Sequence, residues 1–480
     1  MKQDQAPLAQ ALEAYNQNIT QTFGIPGHRR GAGISPWWTA RVGTEIFRYD
    51  LTETTGTDDL HAPEAAILQA QQLAAEAFGA DETYFLVNGT TCGVEAMLLA
   101  AAGPGDKVIL ARNAHKSALM GLVLCGAQPV YIQPDFLQSL GCIGAVQPET
   151  VQVALEENPG AKAVLIVNPT YEGACSDLRQ IAEICHRYGA LLLVDEAHGA
   201  HLHFAPMLPQ SAIDAGADLC AQSLHKTGGS LGQSSLLQVR KGRVAVARLR
   251  AALQMVQSTS PSYLLMTSLD LARRELALHG AENWERTRKL AVRTRAAICR
   301  LPGYECPGAE AFCAAGAADY DVTRLCISAC GRGINGAELK ERLYAMGIDF
   351  ELSNDRYVLA IFTPATTEEE ARRLIDALAA LPENAPIALQ GSTFPPAPPQ
   401  AVLPREAFFA PKQRVPLELA EGAIAGEAVI PYPPGIPVIC PGEQITAPVL
   451  AFLLRWRDKG GHIQGIADPT METIQTVLCK

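Results

Sequence analysis

A chain of 480 residues exceeds what one compact core organises, and its 48% apolar and 19% charged composition is globular rather than disordered. A net charge of −11 and a pI near 5.5 argue against the clustered basic surface that nucleic acids or anionic membranes require, and they suit a soluble enzyme or cationic substrates, although charge balance alone decides neither. The 13 cysteines contain no CxxC pair, MKQDQAPLAQALEAYNQ lacks the apolar stretch of a secretory signal, and no run reaches the ~18 apolar residues of a membrane span. A soluble protein of the reducing cytoplasm is therefore expected, without a disulfide framework or zinc ribbon.

In chain order, residues 1 to about 20 predict an amphipathic helix. From Phe23 to about Asp59 the chain reads as irregular, broken by Gly24, Pro26, Gly27, Gly31 and Gly33. A helix is expected over Pro63–Phe78. Short apolar runs then read as buried strands at Tyr84–Val87, Val108–Ala111, Val130–Ile132, Val164–Val167, Leu191–Val194, Leu219–Ala221 and Ser235–Val239. Helix-length segments such as Cys92–Ala102 and Leu178–Tyr188 separate several of them. This alternation predicts an α/β fold, a mostly parallel sheet with helices on both faces, whose ligands bind beyond the strands' carboxyl ends. Polar clusters stand there: Asn88-Gly89-Thr90-Thr91, Asn168-Pro169-Thr170, Asp195-Glu196-Ala197-His198 and Ser223-Leu224-His225-Lys226. Residues 244–296 read as helical, and strands are expected near 322–328 and 356–363. Ile387–Pro404 is a proline-rich linker, and PYPPGIPVICPGE lies in the segment after it. The expected organisation is an N-terminal helix and arm (1–60), a large sheet domain (61–295), a small α+β domain (296–386) and a C-terminal α+β domain (387–480).

Lys226, in QSLHKTGG directly after a strand, is poorly placed for a plain surface charge. Its bland reading is a solvated loop lysine. Its chemical reading is an amine that condenses with a carbonyl, favoured by burial and by neighbouring cations such as His225. Asp195 closes the apolar strand LLLVD, where an acid is costly to bury unpaired. It reads either as a helix N-cap or as a carboxylate that holds a proton on a cofactor ring. In VNGTTCG, Gly89 permits a tight turn, and the hydroxyls of Thr90 and Thr91 beside a helix start would cradle a phosphate, or simply cap the helix. His115, in ARNAHKSALM, follows another strand and could stack on a flat ring; the bland reading is a hydrogen-bonded structural histidine. His198, His201 and His203 form HGAHLH, which hints at metal binding, but no distant Cys/His pair at zinc spacing supports it, and no metal is expected.

Taken together, these segments resemble the Orn/Lys/Arg decarboxylase family (group III, fold-type I, pyridoxal-phosphate-dependent). The matching motifs are PGHRRG (26–31), TETTGTDDLHAPEAAI (52–67), VNGTTCGVEAM (87–97), RNAHKSALMGL (112–122), NPTYEGACSDL (168–178), VDEAHGAHL (194–202), QSLHKTGG (222–229), STSPSYLLMTSLD (258–270) and IPYPPGIPVICPGE (430–443). The resemblance implies that Lys226 carries pyridoxal phosphate as a Schiff base and that Ser223, His225, Thr90 and Thr91 hold its phosphate. It implies that Asp195 pairs with the pyridinium nitrogen, that His115 stacks over the ring and that His198 lies near the phenolic oxygen, where many relatives carry tryptophan. Glu427 and Tyr432 fall in the region that the family places near the substrate entrance. Two further departures are His28-Arg29-Arg30, where relatives read PGHKxG, and the glycine-rich TGGSLGQSS after Lys226. The chain resembles the short form without a flavodoxin-like wing, which implies a homodimer with shared active sites, or a higher homo-oligomer.

The implied reaction is α-decarboxylation of a basic amino acid, arginine first and lysine or ornithine next. Another fold-type I activity, such as an aminotransferase or a lyase, is the alternative, although no arginine clamp for a substrate carboxylate is readable. A non-catalytic regulator built on the same fold is a third reading.

Overall fold

A computed structural model describes residues 2–137, 141–387, 395–431 and 437–478. The chain forms two compact units, Met1–Ala100 with Val194–Pro206 and Gln210–Glu282, and Ala101–Leu193 with Met207–Pro209 and Asn283–Lys480.

The strands of the main sheet are β1 (Glu82–Leu86), β2 (Lys107–Ala111), β3 (Gln128–Ile132), β4 (Ala163–Val167), β5 (Leu191–Asp195), β6 (Leu219–Gln222) and β7 (Ser235–Val239). Their order is β1-β7-β6-β5-β4-β2-β3. β2 runs parallel to β3 and β4, whereas β7 is antiparallel to both β1 and β6. Every residue of β6 and β7 is buried, which is why neither strand alternates apolar and polar residues. All seven expected strands form: Ser235–Val239 has the expected bounds, β1 ends one residue before the expected Val87, and Glu82, Lys107, Gln128, Asp195 and Gln222 are polar residues that the ladders take in beyond the apolar runs.

In the first unit, helix α1 (Pro7–Asn18) is shorter than expected, because Pro7 starts it. The stretch expected to be irregular holds a short helix, Pro36–Val42, started by Pro36 after Ser35 and ended by Gly43, and a 3₁₀ turn at Glu45–Arg48. Helix α2 (Ala66–Phe78) buries Ile67, Ala70, Ala74 and Phe78 on one face. Its free N–H groups are satisfied from a distance, since the Asp58 carboxylate accepts from Glu64 N, Ala65 N, Ile67 N and Leu68 N at 2.8–3.4 Å. Helix α3 (Gly89–Ala101) packs hard on the strands, so that a Cβ on Gly93 would lie 2.7 Å from Leu86 Cδ1. The helical stretch expected over 244–296 is two helices, α6 (Val246–Val256) and α7 (Tyr263–Ile298), parted at the STSPS segment by Pro261.

The second unit contributes α4 (Lys116–Cys125) and α5 (Leu178–Arg187). Asp177 caps α5 by accepting from Gln180 N at 3.0 Å, and Leu178, Ile181, Ala182 and Cys185 form its buried stripe. Farther on, β8 (Arg324–Ser328), β9 (Leu352–Ser353) and β10 (Tyr357–Ile361) make an antiparallel sheet in the order β8-β10-β9. Helices α8 (Gly336–Ala345) and α9 (Glu368–Ala380) share its core through Leu339, Leu343, Leu374 and Leu378. The C-terminal part pairs β11 (Lys412–Pro416) with β12 (Thr473–Val477), and α10 (Ala447–Asp458) packs in its core through Val449 and Leu453.

Two arginines join this C-terminal part to the β2–α4 region of the same unit. The Arg112 guanidinium, 6% exposed, grips both oxygens of the fully buried Glu443 carboxylate and donates to Val438 O at 3.0 Å. Arg405 donates to Leu124 O at 2.8 Å, where α4 ends. Among the described residues no helix is long and apolar enough to cross a membrane.

Candidate active site

The first unit brings together most of the residues singled out from the sequence. Ser223 follows β6 and caps the helical turn Leu224–Thr227, with Lys226 N donating to Ser223 O at 3.1 Å. The turn sets the part-buried Lys226 amine 2.9 Å from His198 Nε2. His198 is 3% exposed and belongs to a β-turn in which Gly199 N donates to Glu196 O at 2.9 Å.

Asp195, 5% exposed, precedes that turn. Its Oδ1 accepts from Ala197 N at 3.2 Å, an Asx-type bond, and the segment that follows is a turn rather than a helix. The helix N-cap reading of Asp195 therefore does not hold. Its place at a strand's carboxyl end comes instead from the apolar run that precedes it.

A hydroxyl cluster lies at the start of α3. Thr90 Oγ1 is 2.5 Å from Ser223 Oγ and donates to Ser235 Oγ at 3.0 Å, all three residues being buried. Gly89 takes φ +73°, which an L side chain rarely adopts, and Thr91, the third residue of α3, is exposed. A helix N-terminus with hydroxyls beside it suits an anion. Ser235 was not foreseen, because it is brought to Thr90 only by the antiparallel pairing of β1 with β7. The glycine-rich stretch closes onto the same place, with Gln233 Nε2 donating to Val87 O at 2.7 Å.

His225 Nδ1 lies 2.8 Å from Ser234 O, a carbonyl, so Nδ1 carries the hydrogen and Nε2 is left as an acceptor. Burial lowers its pKa, and the neighbouring Lys226 cation adds to this, so the ring stays neutral.

The three histidines of HGAHLH part company. His198 meets Lys226, His201 is fully buried, and His203 Nδ1 pairs with Asp214 Oδ2 at 2.7 Å while its ring stacks on Phe78. Among the described residues no group of three or more His, Cys, Asp or Glu side chains could hold a metal ion.

His115 lies in the second unit as the N-cap of α4, its Nδ1 2.9 Å from Ser117 Oγ. Glu427 is 8% exposed, and both its oxygens accept backbone N–H groups, from Ala467 at 2.8 Å and Gln475 at 2.7 Å. Tyr432 lies outside the described residues.

Glu196 was read only as a member of the polar cluster after β5, with no role in the site. It is fully buried, its Oε1 accepts from Ala212 N at 2.7 Å, and its Oε2 accepts from Gln222 Nε2 at 2.7 Å and from the Cys220 thiol at 3.1 Å. Burial pushes its carboxyl up to about 7, and the Gln222 and Cys220 donors pull it back part of the way. The available signal was a glutamine in each of two otherwise apolar strands, Gln222 and Gln238.

The family model described as "Orn/Lys/Arg decarboxylase, major domain" matches residues 6–315, and "Orn/Lys/Arg decarboxylase, C-terminal domain" matches residues 388–471. The chain is 41% identical to the arginine decarboxylase of Bacillus subtilis (strain 168), over 99% of both chains. Its fold superposes on the constitutive lysine decarboxylase of Escherichia coli with a TM-score of 0.84 at 21% identity, covering 99% of this chain and 82% of that one. Against Sphingomonas wittichii serine palmitoyltransferase the TM-score is 0.54 at 16% identity, over 71% of this chain and 80% of that one. The sheet and its neighbours define a fold-type I architecture, the class expected of pyridoxal-phosphate-dependent enzymes. Within that class, the chain belongs to the Orn/Lys/Arg decarboxylase family.

Proposed function

We propose that this chain is a pyridoxal-phosphate-dependent α-decarboxylase of a basic amino acid, arginine first and lysine or ornithine next. The observation that carries the reading is the amine–imidazole contact of 2.9 Å between Lys226 and His198, on a turn next to the nearly buried Asp195. The donor set fits the cofactor: an amine for its aldehyde, a carboxylate for its ring nitrogen, and hydroxyls with a helix N-terminus for its phosphate. When bound, pyridoxal phosphate supplies an electron sink for the pair left when the bond from Cα to the carboxylate breaks.

The chain's own residues do the rest. Lys226 would hold the aldehyde carbon, and Asp195 would keep a proton on the ring nitrogen. His198 Nε2, in contact with Lys226 Nζ, is the acceptor or donor for that amine's proton. Gly89, Thr90, Thr91 and Ser223 would hold the phosphate, with His225 in the same turn beside them. His115 is assigned to the ring face by resemblance alone. Glu427, with both oxygens taken by backbone, is better suited to bracing the C-terminal part than to meeting substrate. A homodimer in the cytoplasm belongs to the same reading, and light scattering on the purified protein measures the assembly.

The test is an assay of the purified, cofactor-loaded protein on arginine, lysine and ornithine, reading carbon dioxide and amine. The expected result is stoichiometric release of both, fastest from arginine, with turnover and the lysine-bound cofactor absorbance lost in Lys226→Ala. Keto acid without carbon dioxide, or full activity in Lys226→Ala, overturns the proposal.

A further inference from the structure

The acid next to Asp195 has no part in the scheme above, yet it is fully buried and accepts three hydrogen bonds. Glu196 ends a row of buried polar side chains that crosses three neighbouring strands of an apolar sheet. Thr83 on β1 donates its hydroxyl to Gln238 Oε1 on β7, and Gln238 Nε2 donates to Gln222 Oε1 on β6 at 3.1 Å. Gln222 Nε2 then donates to Glu196 Oε2 at 2.7 Å. Every donor in the row points towards Glu196, and each of these side chains is at most 3% exposed. In so dry a place each bond is strengthened by its neighbours, and each broken one leaves a group that water does not reach.

The row ends where the chemistry starts. Glu196 is the first residue of the β-turn that carries His198, and its backbone N–H is tied to Ala221 O at 2.9 Å. Gln222, its partner, is followed directly by Ser223 and then by the turn that carries Lys226. The third strut, from Ala212 N, fixes the same carboxylate to the start of the short helix Ala212–Ala215.

We propose that Glu196 is a positioning residue of the catalytic site, holding the turn that carries Asp195 and His198 against the strand end that carries Ser223 and Lys226. It acts through those residues and touches no reacting atom. The proposal rests on the decarboxylase reading for its activity readout.

The chemistry of the row supplies the test. In Glu196→Gln the new amide fits Ala212 N–H and Gln222 only if the Gln222 and Gln238 amides turn over and the Thr83 hydroxyl changes from donor to acceptor, and even then the Cys220 thiol loses the oxygen it donates to. In the double variant Glu196→Gln with Gln222→Glu the pair is reversed. The amide at position 196 then accepts from Ala212 N–H and donates to the carboxylate at position 222, which also accepts from Gln238. The contacts along the row are kept while the charge moves to the neighbouring strand. Three quantities are read on the cofactor-loaded protein: visible circular dichroism of the bound cofactor, its dissociation rate, and kcat apart from KM. In Glu196→Gln the dichroism changes, dissociation quickens and kcat falls roughly 10- to 100-fold with KM nearly constant, the size of effect that a small misplacement has. The double variant returns all three most of the way. If Glu196→Gln is not recovered folded, Gln222→Met, which removes the donor and leaves the acid, is read the same way. A folded single variant indistinguishable from wild type in all three overturns the proposal. So does a double variant no better than the single one. A wild-type protein that binds cofactor but releases no carbon dioxide sinks the decarboxylase reading instead, and the two cofactor readouts still decide this one.

Discussion

The carboxyl of Glu196 has no contact with solvent, so its proton affinity is set by what surrounds it. Raised by burial from 4.5 to about 7, it binds a proton more tightly in the folded chain than in the unfolded one. The sign follows from linkage. Its contribution to stability is fully present below about 4.5 and is lost as pH rises through about 7, a span worth roughly 3 kcal/mol at most. The urea midpoint of wild type, compared with that of Glu196→Gln, should therefore drop relative to the variant between pH 4.5 and 7.5. A constant difference across that window would mean that the acid is not perturbed. At this scale the candidate site was legible only in part. Lys226, Asp195 and His198 stood at strand ends where ligand chemistry is expected. The bond between Lys226 and His198 was not readable, because it spans 28 residues and depends on how two neighbouring strands finish.

At the scale of elements, the strands were legible because burial leaves a short, mostly apolar stretch in each, as in Ala163–Val167. Their ends were not, since Asp195 is a polar residue that bonds to Ala197 N in the turn after it and Gln222 is one held by Gln238 and Glu196. The break at 258–262 was missed, because residues 244–296 read as one helical stretch although Pro261 interrupts it, and the helix at Pro36–Val42 hid inside a glycine-rich stretch. The start of α2 shows a cap that no local pattern reveals, since Asp58 lies well before the helix it serves. Asp58→Ala should leave up to four N–H groups short of acceptors and destabilise the chain by about 2 kcal/mol, the upper end for lost caps. Amide hydrogen exchange should quicken first at residues 64–68. Unchanged protection there would show that water replaces the carboxylate without loss.

At the scale of the whole chain, two separately recognised modules are riveted by a buried ion pair, Arg112 with Glu443. A buried pair adds little over a well-packed apolar substitute, but losing one member strands the other charge. Glu443→Gln should cost about 3–5 kcal/mol, read as a lower urea midpoint, whereas Arg112→Met with Glu443→Leu should cost less than Glu443→Gln alone. Equal losses in the two would mean that the charges are solvated after all. The rivet also bears on descent. A lineage that exchanged its tail for one lacking an acid at position 443 would inherit a stranded guanidinium beneath β2. Recombination between these modules should therefore be rare among relatives, and the two positions should change hands together.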